Sequence, residues 1–213
     1  MNLKTNTQIN MESYEEKQKR EKTEREYYLR RTAELKEIIK PITLSRQAAD
    51  YDFGGFLKSL QRFSKDYGGL EMNPDFQRGH VWTSEQQLRF IENTLRGIVS
   101  ASGFLVQFNC PNLEMADEKY KGDLPLGFQC IDGLQRITAI EKFLNGEIKP
   151  FGLTVEDLHC SAFSVKSLHY GFKMAVYNFQ TRKQLLQHYL DFNAGGTPHS
   201  ASEIERVKSL LEQ

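Results

Sequence analysis

Asp132, Gln135 and Arg136 stand close together in a stretch that reads FQCIDGLQRITAIEKF over residues 128–143. An arginine can hold a phosphate with a planar fork of donors. An aspartate can hold a hard cation or orient a water. Gly133, between them, lets the backbone come close to a ligand. The spacing around these residues is informative. Residues 128–131 are apolar and read as a short strand, which breaks at Asp132 and Gly133. The pattern then resumes with Ile137, Ile140, Phe143 and Leu144 on one helical face. A strand feeding directly into a helix aims the helix N-terminus at whatever sits above the strand end. The unpaired N–H groups there, with the positive end of the helix dipole, favour an anion. Taken alone, the same residues suit an Asp-Gly turn with a charge at a helix start.

A second Gln-Arg pair, Gln77 and Arg78, lies in the upstream segment NPDFQRGHVW, residues 73–82. Arginine beside aromatic residues suits phosphate binding or stacking on a base, and equally suits packing on Trp82. The two pairs together favour a site. Two guanidiniums converging on one pocket repel each other unless an anion lies between them, so a phosphate is the natural ligand. A third polar segment, LDFNAGGTPHSASE, occupies residues 190–203.

The order and spacing of these segments resemble the N-terminal domain of the GmrSD-type modification-dependent restriction enzymes, a branch of the ParB/sulfiredoxin-like superfamily. That family's pattern runs P-x-[FY]-Q-R-x-x-V-W, then I-D-G-x-Q-R-[IL]-T, then F-x-x-[IF]-N-x-G-G-x-x-[LS]-x-x-E. The likeness covers residues 44–211. It implies an α+β fold, a mixed sheet with surrounding helices, and a nucleotide pocket. Carried over residue by residue, it makes Asp132, Gln135 and Arg136 the catalytic candidates. Gln77, Arg78, Gly133, Arg136, Asn193 and Gly196 become the nucleotide and phosphate contacts. Asp132 is the one candidate ligand for Mg, the expected cofactor. Leu134 stands where the common form has a glutamine. Relatives that cut DNA carry a separate HNH-type nuclease domain, and no such pattern follows here, so the resemblance implies a chain without its own nuclease.

Composition narrows the alternatives. The 213 residues hold 28 Lys plus Arg against 28 Asp plus Glu. Zero net charge argues against a protein whose main affinity is a broad basic face on nucleic acid, and leaves room for a local basic patch. Three cysteines without a C-x-x-C spacing read as reduced thiols of a cytoplasmic protein. No apolar run is long enough to span a membrane, and the first ten residues lack the apolar core of a secretory signal. The five histidines show no metal-ligand spacing, and there is no P-loop signature. Cys130 reads as core packing. The adjacent His159 and Cys160 are a weak signal for a nucleophile pair.

The elements that must position the candidates follow from periodicity and punctuation. Residues 1–40 read as a polar arm, first irregular and then helical from residue 12, dense in both charge signs. This helix is either simply solvated or a partner-binding arm. Residues 41–213 are expected to form the nucleotide-binding domain that the resemblance implies. Within it the pattern predicts a short strand at 42–44, an amphipathic helix over 52–65 and a strand over 103–109. Thr83-Ser84, with Gln87 three residues on, predicts a capping box opening the next helix. Further helices are expected over 135–144, over 182–191 and after a second capping box at Ser200 and Glu203. Residues 173–179 alternate as a strand, residues 193–196 read as a turn, and residues 147–170 read as short irregular pieces. The expected function is nucleotide binding with Mg-dependent hydrolysis of a nucleoside triphosphate, in a DNA-related, restriction or defence system. The alternative is a non-catalytic module that senses a nucleotide or DNA, or that reaches a protein partner through the arm.

Overall fold

The computed structural model describes residues 14–41, 47–99, 105–114, 120–166, 171–194 and 201–212. The chain falls into two compact units, divided between residues 42 and 43. The first contains α1 (Tyr14–Ile39), a long helix exposed along most of its length. Its sequence explains this. Charged residues of both signs surround the helix, and ion pairs such as Arg20–Glu24 and Arg31–Glu34 form along its surface.

The second unit is an α+β domain around a five-stranded mixed sheet in the order β1-β5-β3-β4-β2. The strands are β1 (Gln47–Tyr51), β2 (Leu70–Glu71), β3 (Leu105–Asn109), β4 (Phe128–Asp132) and β5 (Phe172–Tyr177). The central pair β3 and β5 is parallel, β1 and β4 run antiparallel to their inner neighbours, and β2 is parallel to β4. The helices are α2 (Phe53–Tyr67), α3 (Ser84–Leu95), α4 (Leu134–Leu144), α5 (Arg182–Ala194) and α6 (Ala201–Leu211).

Side-chain alternation along the strands divides the apolar residues between two cores. Phe108, Phe128, Cys130, Phe172, Met174 and Val176 join α2, α3 and α4 in the larger one. Ile131 of β4 joins Phe76, Phe179, Leu185, Leu186, Tyr189 and Val207 in the smaller one. On this second side β3 presents polar groups. Asn109 exchanges hydrogen bonds with the backbone of Phe179, and Gln107 Oε1 lies 3.0 Å from His188 Nε2. His188 sits among Tyr177, Phe179 and Phe192. Burial lowers its pKa, which favours the neutral ring.

Several sequence expectations need correction at this level. Of the expected cap residues Thr83 and Ser84, Thr83 is the N-cap of α3, so the capping-box partner is Gln86 and not Gln87. Gln87, freed from that role, is buried and accepts from Lys142 Nζ on α4. The exposed edge strand β1 was not anticipated, because QAADY carries no apolar alternation. Helix α5 continues through Asn193 and Ala194, so these are not turn residues. The expected strand at 42–44, and Ser200 of the second capping box, lie outside the described residues.

The break between β4 and α4 is set by Gly133. It is the N-cap of α4, with φ of 113°, a region that L side chains rarely adopt. A Cβ there would lie 2.5 Å from Val106 Cγ1 and 2.9 Å from Val106 Cβ. The glycine therefore lets the turn close against β3, and the space beside its α-carbon belongs to Val106. Gly133→Ala should destabilise the domain by about 3 kcal/mol, combining left-handed strain with overpacking. Removing the valine methyls relieves the second part. Urea unfolding of Gly133→Ala, Val106→Ala and the double variant checks this. The double variant should lose less than the sum of the single ones, and simple additivity would contradict the packing argument.

Candidate functional site

Strand β2 has only two residues and pairs only with Phe128 and Gln129 of β4. Beyond that point β4 needs other partners for its outward carbonyls. The chain cannot continue the ladder, because Pro74 follows shortly and has no N–H to give. It turns instead, with the Gln77 N–H donating to the Pro74 carbonyl at 2.9 Å. The Gln77 side chain then returns to the strand end. Its Nε2 donates to the carbonyls of Cys130 at 3.0 Å and Ile131 at 2.7 Å. Ile131 is the extra residue where the β3–β4 register shifts, between the pairs Gln107–Asp132 and Phe108–Cys130. Bulges of this kind re-aim side chains beside functional sites.

Gln135 makes the matching connection from the helix side. Its Oε1 accepts from the N–H groups of Val81 and Trp82, each at 3.1 Å. Its Nε2 donates to the Gly79 carbonyl at 2.6 Å. Residues 77–82 are thus fastened to the β4–α4 junction at both ends. Arg78 is exposed and lies between anchored neighbours, Gln77 before it and Gly79 after it. Arg136 follows Gln135 directly and forms an ion pair with Asp132, the last residue of β4. Their side chains are 25% and 31% exposed, so the pair is partly open to solvent. His80 Nδ1 reaches within 3.4 Å of Thr138 Oγ1 on α4.

The structure thus brings Gln77, Arg78, Asp132, Gly133, Gln135 and Arg136 to one junction. Asp132 does not cap α4, whose N-cap is Gly133 with no side-chain cap, so its carboxylate is committed to Arg136. Asn193 is helical, and its amide donates to the Tyr189 carbonyl at 2.7 Å. Gly196 lies outside the described residues. Cys130 is fully buried, and burial, with the nearby Asp132 charge, pushes its thiol up, as expected of a packing residue. Burial likewise pushes Cys110 up to about 12. Cys160 and His159 do touch, with Sγ 3.1 Å from Nδ1, in an exposed turn.

Sequence reasoning missed what holds the loop from its other side. Phe76 is 1% exposed and packs edge-on against Tyr189 of α5 at 5.2 Å. The Asp75 carboxylate takes a bidentate grip from Arg182, at 2.7 and 3.2 Å. Asp123 in turn accepts from the Arg182 N–H at the start of α5, at 2.6 Å. No spacing rule connects residues this far apart in sequence.

A mixed-sheet α+β domain in which two glutamines, each followed by an arginine, fasten a loop to a strand–helix junction defines a class of domain. The family model of the GmrSD restriction endonuclease N-terminal domain matches residues 56–194. The chain belongs to that family. No curated protein and no solved structure matches it.

If the Gln135 amide fastens the loop, Gln135→Ala should release it. The expected cost is about 2 kcal/mol, since three partly exposed hydrogen bonds are lost at roughly 1 kcal/mol or less each. Amide hydrogen exchange at Val81 and Trp82 should accelerate. Gln135→Glu, which keeps the acceptor and loses the donor, should fall between. Unchanged exchange in Gln135→Ala would contradict the fastening role.

Proposed function

We propose that this domain binds a nucleoside triphosphate at the β4–α4 junction and hydrolyses a phosphate ester there, within a restriction or defence system acting on DNA. The observation that carries the reading is the coupling of the two arginines through their neighbours. Gln135, adjacent to Arg136, holds Gly79, adjacent to Arg78. Two guanidiniums on backbone segments locked together suit the distributed charge of a polyphosphate. In this reading Arg136 exchanges Asp132 for a phosphate oxygen as the ligand enters, which releases the carboxylate. Gln77 and Gln135 have their amides committed to backbone, so they set the geometry and the arginines make the contacts.

The donor set also bears on Mg. No group of three or more His, Cys, Asp or Glu side chains that could hold a metal occurs among the described residues. Mg with few protein ligands is normally bound through one or two carboxylates together with substrate phosphates. The junction fits that arrangement, with the ion arriving on the nucleotide and Asp132 as its single protein carboxylate. Bound so, it would offset phosphate charge and favour an attacking water. In the same reading Asn193 and Gly196 remain candidate nucleotide contacts. The exposed helix α1 is a candidate surface for a protein partner. No helix among the described residues is long and apolar enough to cross a membrane, and the reading places the protein in the cytoplasm.

The second reading, a domain that senses a nucleotide or DNA without turnover, is favoured by one fact. Asp132 is already neutralised by Arg136. Two substitutions decide between the readings. Arg136→Ala should weaken nucleotide binding by about 1.5–3 kcal/mol, the worth of hydrogen bonds to a charged group. Asp132→Asn should abolish hydrolysis while metal-free binding persists or tightens, because a repulsive charge is gone and no helix cap is lost. Calorimetry and a phosphate-release assay across the nucleotides, with and without DNA, check both. Full turnover in Asp132→Asn, or none in the wild type under any condition, would leave the sensing reading.

A further inference from the structure

The loop that carries Gln77 and Arg78 has a third attachment. The carbonyls of Asp75, Phe76 and Gln77 follow one another outside any regular element, so no ladder supplies their donors. One side chain on α6 supplies all three. Arg206 Nη1 donates to the Asp75 carbonyl at 2.6 Å. Its Nη2 donates to the carbonyls of Phe76 at 2.9 Å and Gln77 at 3.2 Å. The neighbouring Val207 is buried in the same small core as Phe76. Arg206 lies beyond residue 194, where the family match ends.

We propose that Arg206 is a positioning residue for the candidate site, and that α6 is therefore part of the functional unit. Only a planar fork of several N–H donors can span three successive carbonyls in fixed directions. Arg206 therefore sets the path of residues 75–77, while Gln77 Nε2 ties the end of that segment, and the Gln135 amide the residues that follow it, to the β4–α4 junction. Arg78 leaves the chain directly after the last carbonyl that Arg206 holds. Arg182 grips the Asp75 side chain from α5, so both C-terminal helices act on one short loop. Releasing Arg206 would let Arg78 sample several directions and so weaken its hold on an anion. That consequence for binding rests on the nucleotide reading above. The effect on the loop does not.

The test keeps these two levels apart. Arg206→Ala, Arg206→Lys and the α6 surface control Lys208→Ala are compared in the full chain. Hydrogen exchange is followed across residues 75–82, and acrylamide quenching reports on Trp82, the single tryptophan of the sequence. Inorganic triphosphate binding is measured by calorimetry. In Arg206→Ala, exchange over 75–82 and Trp82 quenching should rise, while exchange in β3, β4 and β5 and the melting temperature stay near wild type. Triphosphate affinity should fall about tenfold, the equivalent of roughly 1.4 kcal/mol. Arg206→Lys, with a point of donors in place of the fork, should restore part of both effects, and Lys208→Ala should change neither. Unchanged exchange over 75–82 in Arg206→Ala would overturn the proposal. So would a uniform rise across the sheet in both Arg206 variants, which would mark a general stabilising role. If the wild type binds no triphosphate while the loop still loosens, the nucleotide reading fails and the positioning role stands.

Discussion

The exit of β4 has no neighbouring strand on the β2 side, and the side-chain amide of Gln77 stands where a strand would have been. This substitution governs the region. A continued β2 would have paired the Cys130 and Ile131 carbonyls and carried the chain onward along the sheet edge. Because Gln77 meets those carbonyls at 3.0 and 2.7 Å, the chain is free to turn back over the strand end. Gln135 fits the same logic from α4. An amide carries an acceptor and donors on one planar group, so it can take the N–H groups of Val81 and Trp82 while giving to the Gly79 carbonyl. A carboxylate lacks the donor, and a lysine or arginine lacks the acceptor.

With the loop fixed this way, the electrostatics follow. Arg78 and Arg136 belong to backbone segments that cannot separate without breaking several hydrogen bonds. Asp132 provides a local counter-charge to Arg136, which moderates the repulsion in a partly exposed site. An ion pair at this degree of exposure contributes little to stability. On the nucleotide reading, its exchange for a phosphate oxygen would therefore cost little, where a more deeply buried pair would resist opening. That balance suits the anion site proposed above.

Much of this was legible from residue order. The strand–Gly–helix junction, the amphipathic spacing of α2 and the two Gln-Arg pairs are local patterns, and all stand where the sequence puts them. The roles of the two glutamines were less legible, because glutamine serves a ligand or a backbone equally well and only tertiary distance separates the two. Gly133 was read for ligand approach, yet Val106, far off in sequence, fills the space beside it. The one-residue shift of the α3 cap reflects two adjacent candidate caps, Thr83 and Ser84, each with a glutamine three residues on. Arg182 and Arg206 had no signal at all. Their partners in the 75–77 segment lie more than a hundred residues earlier, and they reach carbonyls and a carboxylate that any arginine could serve.

The nucleotide reading requires Arg78 and Arg136 to act on one bound anion. A double-mutant cycle on inorganic triphosphate affinity, using Arg78→Ala, Arg136→Ala and the double variant, tests it most directly. If both guanidiniums hold the same polyphosphate, the losses should be non-additive, with a coupling energy of about 1 kcal/mol or more. Strictly additive losses, or a loss on removal of only one arginine, would show that the two do not share a ligand and would contradict the account.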